Sequence, residues 1–146
     1  MGCFWGAEEI LRKVKGVQYT VVGYMGGKVD NPTYERVCGG DTGHIETVYL
    51  KFNPSIISYK DLLGIFWKNH NPTTLDRQGL DIGSQYRSII FYYNQKQKET
   101  AEELKRQLGE GDRFKDPIVT QIIPASVFYP AEEYHQQYIQ KKSKIF

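Results

Sequence analysis

A two-layer α+β sandwich, with helices over one face of a mixed, mostly antiparallel sheet, is the fold class the sequence predicts. Three observations carry it. Segments rich in β-branched and aromatic residues are interspersed with segments of helical periodicity. Two long polar, glycine-bearing stretches separate them as loops. The 146 residues suffice for one sizeable core in a single domain, residues 1–146, without internal repeats or low-complexity linkers.

The first helix is predicted over Ala7 to Lys15, where Ile10, Leu11 and Val14 share a face. Glu8 and Glu9 fall in its first turn, Arg12, Lys13 and Lys15 in its last, and Gly16 reads as the residue just past its end. Val17 to Tyr24 is a strand by its β-branched and aromatic content, closed by Met25-Gly26-Gly27. Lys28 to Gly43 turns to Asn, Pro, Asp, Thr and Gly, a long loop of the sort that carries function. His44 to Phe52 is the next strand, with Ile45, Val48, Leu50 and Phe52 not quite in strict alternation. Asn53-Pro54 turns the chain, and Ser58 caps a helix from Tyr59 to Asn69 bearing Leu62, Leu63, Phe66 and Trp67, which Asn71-Pro72 stops.

Thr73 to Gln85 is a second long loop that delivers Asp81 and Tyr86. Arg87 to Asn94 is a strong strand. Gln95 to Leu108 is a charged helix whose narrow stripe of Ala101, Leu104 and Leu108 suits an exposed layer over a sheet. Ile118 to Ala125 is the last strand, and Glu132 to Lys141 a short terminal helix with Tyr134, His135 and Tyr138.

Bulk properties narrow the function classes. Lys plus Arg number 19 against 17 Asp plus Glu, a formal +2, and the one basic cluster, Lys141-Lys142-Ser143-Lys144, reads as a solvated tail. Nothing there argues for nucleic acid or an acidic membrane surface. Two cysteines allow one disulfide at most, too few for a stapled secreted scaffold, so a reducing cytoplasmic setting is expected. No apolar run approaches the ~20 residues that span a bilayer, and no signal-peptide core precedes Gly2.

The chemistry is concentrated in Gly2-Cys3-Phe4-Trp5-Gly6, a cysteine at the entry to a helix. Unpaired N–H groups and the positive dipole end there favour the thiolate, the nucleophilic form. Flanking glycines allow a tight turn, and two large rings beside a thiol suit a small apolar or thioether-like group. A buried core thiol among core rings is the plain alternative.

The pentapeptide resembles the active-site signature of the A-type peptide methionine sulfoxide reductases. Gly23-Tyr24-Met25-Gly26-Gly27, Asn31-Pro32-Thr33-Tyr34, Val37 to Glu46, Gly83 to Ser88 and Phe128 to Glu132 resemble further blocks of that family in the same order, so the similarity covers nearly the whole chain. It implies a ferredoxin-like plait and thiol-dependent reduction of methionine-S-sulfoxide, free and protein-bound, in repair after oxidation. Cys3 is then the nucleophile that becomes a sulfenic acid. Glu46 is the proton donor: its apolar strand context would desolvate it and raise its pKa, although by local sequence alone it reads as a surface carboxylate. Tyr34 and Tyr86, two of eleven tyrosines, would hydrogen-bond the developing oxyanion. Asp81 would hold a water or the substrate main chain, and Phe4 and Trp5 would cradle the S-methyl group. Asp41 and Gly43-His44 would shape their loop.

The sequence departs from the family in two places. A buried strand leads into the cysteine motif in the family, and only Met1 and Gly2 stand before it here, which would leave apolar surface and unpaired ladder groups on its neighbours. The tail, Gln140 to Phe146, holds none of the recycling cysteines many members carry. Recycling of the sulfenic acid then falls to an external thiol, glutathione with glutaredoxin or thioredoxin, with Cys38 as an internal alternative. No cofactor is expected. A Cys/His hydrolase pair of Cys3 with His44, His70 or His135 has no local signature, and no close-spaced ligand pair suggests a metal. The competing function is a catalytically impaired module that binds oxidised methionine or senses redox state.

Overall fold

In the computed structural model, which describes residues 1–143, the chain begins with the helix α1 (Phe4–Arg12), three residues earlier than apolar periodicity indicates. Cys3 is therefore its N-cap, and Glu8 and Glu9 sit a turn further in than expected. Leu11 and Ala7 face the sheet, and the helix ends at Lys13, with Gly16 beyond it in a left-handed turn. Lys144, Ile145 and Phe146, the end of the cysteine-free tail, lie outside the described residues.

β1 (Val17–Met25) pairs antiparallel with β2 (Ile45–Phe52) from Val17↔Phe52 to Met25↔Ile45, with an irregularity between Val17 and Tyr19. Between them, part of the stretch expected to be loop is a helical turn, α2 (Tyr34–Cys38), begun by Thr33, whose hydroxyl accepts from the Arg36 N–H at 3.2 Å. Five residues are too few to register as helical periodicity. His44 fastens the rest of the stretch: Nδ1 accepts from the Gly27 N–H at 3.0 Å and Nε2 donates to the Val29 carbonyl at 2.7 Å.

α3 (Tyr59–Lys68) starts at Ser58, whose hydroxyl accepts from the Asp61 N–H at 3.0 Å, and lays Leu63 and Trp67 against Ile90 and Ala101. The second expected loop contains a short antiparallel pair, β3 (Arg77–Gln78) and β4 (Asp81–Ile82), then a 3-10 turn, Ser84–Tyr86. β5 (Ile89–Tyr92), α4 (Gln95–Glu110) and β6 (Gln121–Pro124) form a crossover unit, and β5 and β6 pair in parallel. β7 (Tyr129–Pro130) pairs with β1 through Gly23↔Pro130 and Tyr24↔Tyr129. That approach demands glycine at 23, because a Cβ there would stand 2.4 Å from the Tyr129 carbonyl oxygen.

The expected terminal helix is broken in two: a 3-10 turn over Glu133–His135, then α5 (Tyr138–Ser143). Gln137 between them takes φ 50° and donates its N–H to the buried Glu8 carboxylate at 2.6 Å, while the Gln136 amide bonds the N–H and C=O of Val22 at 2.9 Å each. Tertiary bonds to α1 and β1 thus override local helical tendency.

The architecture is a mixed α/β fold: among the described residues, five α-helices and three small sheets in the orders β2-β1-β7, β3-β4 and β5-β6. One core cluster, Phe4, Val22, Tyr24, Val37 and Ala131, lies behind the start of α1; the other joins α3, α4 and β5. An apolar cavity of about 200 Å³ opens between β2 and β5, lined in part by Leu11, Ile45, Val48, Leu63, Ile89 and the rim of Glu46. Among the described residues no helix is long and apolar enough to cross a membrane.

Candidate active site

The start of α1 organises the site because it fixes Cys3 and, through the next peptide, Glu46. Gly2 takes φ 86°, and a Cβ on it would press within 3.0 Å of the Gln78 side chain, so glycine is needed there to bring the chain into the helix. Gly6, in contrast, has open space beside it and needs no such freedom. The Cys3 carbonyl accepts the first helical hydrogen bond, from the Ala7 N–H at 3.2 Å, and its thiol is half-buried.

The sulfur is not the acidic thiol that a helix entry implies. Burial pushes its pKa up to about 11; the Trp5 and Gly6 N–H groups pull it down, and the Glu46 and Asp81 carboxylates push it up again. Neither N–H caps the sulfur with a formal hydrogen bond. Desolvation therefore outweighs the helix end, and the resting group is a thiol.

Glu46 is the second residue of β2 and only 3% exposed. Its two oxygens have different surroundings. Oε1 accepts from the Phe4 N–H at 3.0 Å, the peptide directly after Cys3, whereas Oε2 is buried without any partner. Burial raises its pKa to about 7, opposed by that hydrogen bond and assisted by the Asp81 charge. A carboxyl so placed is substantially protonated near neutral pH, with its free oxygen available to hold the proton.

The tyrosines arrive from the two loop regions. Tyr34 is the first residue of α2 and Tyr86 the last of its 3-10 turn; both phenols are pushed above their ordinary range, first by burial, and so remain donors. Glu46, Asp81 and Cys3 all add to the shift at Tyr86, so each lies near enough to act on the phenol through its charge. Arg87 ties the two regions, bonding the Ser84 carbonyl at 2.9 Å and the Gly43 carbonyl at 3.2 Å. Asp81 lies on the exposed β4 and acts on Cys3 and Glu46 through its charge. Cys38 ends α2, exposed, and its thiol adds to the upward shift at Tyr34.

The two rings of the motif part company. Phe4 is 1% exposed and packs on Tyr24 at 5.7 Å, so it is a core ring, turned inward by its place at the first position of α1. Trp5 is half-buried, stacked on Tyr138 at 3.8 Å with planes 13° apart, and its Nε1–H donates to His135 Nδ1 at 2.9 Å. Sequence reasoning passed over two anchors of these walls. Glu132 accepts from the Tyr34 N–H and from the Tyr24 hydroxyl, each at 3.0 Å, and His135 holds Trp5. Their partners lie 98 to 130 residues away, beyond any local pattern.

The histidines make no pair with Cys3. Both ring nitrogens of His44 and of His70 are bonded within the protein, and His135 Nδ1 is occupied by Trp5. Among the described residues no group of three or more His, Cys, Asp or Glu is arranged to hold a metal. A soft nucleophile, a protonated carboxyl and two phenols close enough to feel one another's charge can take an oxygen from a polarised S–O bond while protonating it.

The family model described as peptide methionine sulfoxide reductase matches residues 1–146. The chain is 57% identical over 143 residues to the peptide methionine sulfoxide reductase MsrA of Methanothermobacter thermautotrophicus, covering 98% of this chain and 85% of that protein. Among solved structures it superposes with a TM-score of 0.91 on Mxr1 from Saccharomyces cerevisiae in reduced form, at 36% identity over 98% of this chain and 82% of that one. It also superposes with a TM-score of 0.66 on Mxr1 in complex with Trx2, at 26% identity over 94% of this chain and 78% of that one.

Proposed function

The chain belongs to the peptide methionine sulfoxide reductase family, oxidoreductases that act on the sulfur of methionine sulfoxide, and from that premise we propose that Cys3 and Glu46 reduce the S epimer, free or in oxidised proteins. The placement of Glu46 carries the reading: one oxygen held by the peptide after Cys3, the other buried and without a partner.

Cys3 Sγ attacks the sulfoxide sulfur as Glu46 Oε2 gives its proton to the sulfoxide oxygen. The carboxylate so formed is the base beside the thiol and takes the thiol proton, which a pKa of about 11 would otherwise retain. Tyr34 and Tyr86 donate to the oxygen as it gains charge. Oxygen then moves to Sγ: methionine leaves two electrons richer, and Cys3 is left as sulfenic acid, oxidised by the same two. Trp5 forms the wall for the S-methyl group, and Asp81 orients the substrate main chain through water.

Two external thiols then reduce the sulfenic acid, forming one disulfide and one water. Thioredoxin, or glutathione with glutaredoxin, supplies them, and the Mxr1 complex with Trx2 favours thioredoxin. Cys38 is the internal alternative, close to Tyr34. No prosthetic group, nucleic acid or membrane enters the reaction, and two free thiols suit a reducing cytoplasm. The single domain and its ferredoxin-like plait belong to the same proposal, supported by the antiparallel β2-β1-β7 sheet and the parallel β5-β6 pair joined through α4.

A single-turnover experiment with each sulfoxide epimer tests it. About one methionine per protein is expected from the S epimer before reductant is added, with none from the Cys3→Ser variant. Equal turnover of the epimers would sink the reading. Saturable binding without methionine release would favour the binding or redox-sensing module instead.

A further inference from the structure

We propose that Leu80 and Ile82, at the end of the β3–β4 hairpin, are specificity-determining residues for polypeptide substrates, taking up apolar side chains that flank the oxidised methionine; the proposal rests on the reading of Cys3 as the nucleophile. Among the described residues the three most exposed large apolar side chains are Leu80 at 96%, Leu75 at 72% and Ile82 at 71%, all between positions 75 and 82. Single exposed apolar residues are ordinary, whereas their concentration beside a reactive group marks a contact surface. The hairpin that carries them is firmly tied. The Gln78 amide accepts the Asn71 N–H at 2.9 Å and donates to the Asn71 carbonyl at 2.5 Å, Thr74 Oγ1 donates to the Arg77 carbonyl at 2.6 Å, and the Gly83 N–H donates to the Asp76 carbonyl at 2.9 Å. Gly79, at φ 58°, makes the turn with Leu80. So held, the tip keeps two aliphatic side chains in water.

The hairpin stands against the start of α1. Gly2 lies so close to Gln78 that a Cβ on it would come within 3.0 Å of the Gln78 Cβ and Cγ, and Cys3 is the next residue. Gln78 and Asp81 are cross-strand partners and share that face, in keeping with the charge that Asp81 exerts on Cys3 and Glu46. Ile82 shares the opposite face with Arg77, and Leu80 sits at the tip between the two. A chain whose sulfoxide reaches Cys3 therefore has its neighbouring residues beside Leu80, with Ile82 beyond. The chemistry of those neighbours follows from methionine itself. Methionine is a core-forming residue, and its oxidation loosens the packing around it, so the segment presented for reduction carries aliphatic side chains newly turned to water. Two rigidly held aliphatic side chains next to the nucleophile suit such a segment and offer nothing to a free amino acid.

Steady-state kinetics with dithiothreitol as reductant test it on three substrates: N-acetylmethionine-S-sulfoxide, an acetylated pentapeptide with leucines on both sides of the S-sulfoxide, and the same peptide with serines in their place. In the parent the KM of the leucine peptide is expected about tenfold below that of the serine peptide with kcat within about twofold, the pattern of uniform binding. The Leu80→Ser/Ile82→Ser double variant should bring the two peptides within about twofold of each other, while Leu80→Met, which keeps the tip apolar, should retain the preference. Turnover of N-acetylmethionine-S-sulfoxide should be unchanged in every variant. A parent indifferent to the flanking residues, a preference that survives the double variant, or an equal loss on all three substrates would overturn the proposal. So would a double variant altered only in its KM for thioredoxin, which would give the tip to the reductant. Failure of the parent to reduce any of the three would sink the chemistry of Cys3 and this proposal together, whereas reduction blind to flanking residues sinks this proposal alone.

Discussion

Raising the pH should slow the oxygen-transfer step by titrating Glu46. Burial raises its pKa to about 7, and the group must enter the reaction protonated. The acid form is then about nine-tenths of the enzyme at pH 6, about half at pH 7 and about one-eleventh at pH 8, so the rate should fall roughly tenfold from pH 6 to pH 8 and tenfold per unit beyond. The Cys3 thiol, at about 11, does not ionise in this range and cannot restore it, because its own proton leaves through the Glu46 carboxylate. The assay is rapid-quench single turnover with enzyme in excess over methionine-S-sulfoxide and no reductant, which isolates the transfer from recycling. Glu46→Gln should lower this rate by about 10²–10⁴-fold, the usual worth of a positioned acid, and flatten its dependence between pH 6 and 8. A rate that climbs through pH 9 with thiol ionisation, or a Glu46→Gln variant as fast as the parent, would refute the assignment.

Further outcomes follow from the same groups. Because the folded-state pKa of Glu46 is raised from 4.5 to about 7, its stabilising contribution is complete below 4.5 and is lost as pH rises through 7; Glu46→Gln should therefore match the parent in thermal melts near pH 4 and exceed it by roughly 3 kcal/mol at pH 9. With Cys3 at about 11 and half-buried, iodoacetamide at pH 7.5 should modify the exposed Cys38 first, and peptide mass mapping should show the Cys3 rate rising about tenfold per pH unit to beyond pH 9; equal rates at neutral pH would contradict the burial argument. Tyr34→Phe and Tyr86→Phe should each cut the single-turnover rate by about tenfold or more while leaving the fold intact by circular dichroism. Parent-like rates in both would remove the phenols from the oxyanion site.

The elements that sequence patterning located were those whose signals are local. α3 is capped by Ser58 and turns its apolar side to the core as the spacing of Leu62, Leu63 and Trp67 requires, and α4 starts with the Asn94 side chain accepting from the Gln97 N–H at 2.9 Å. The errors came where distant contacts decide. α1 starts at Phe4 because the peptide N–H there is satisfied by Glu46 on β2, not because of any apolar spacing. The terminal helix breaks at Gln137 because Glu8 claims its N–H. Residue type and the resemblance singled out Cys3, Glu46, Tyr34, Tyr86 and Asp81; in the structure Glu46, Asp81 and Cys3 all act on Tyr86 through their charges, and Glu46 and Tyr86 act on Tyr34. Phe4 belongs to the core, a matter of which way the first helical turn faces. Glu132 and His135 show no local mark at all, since what distinguishes them is a partner about a hundred residues upstream.

The high pKa of the nucleophile has a consequence outside the catalytic cycle. Oxidised methionine accumulates where peroxides are abundant, and a permanently ionised sulfur in that setting would be consumed by the same oxidants whose damage it is meant to reverse. At about 11, on the order of one Cys3 in 10⁴ is ionised near pH 7, so peroxide meets an unreactive group. In the proposed reaction the sulfur is deprotonated only when a bound sulfoxide draws the proton from Glu46. Reactivity is thus conferred by the damaged residue itself, and an idle molecule is spared.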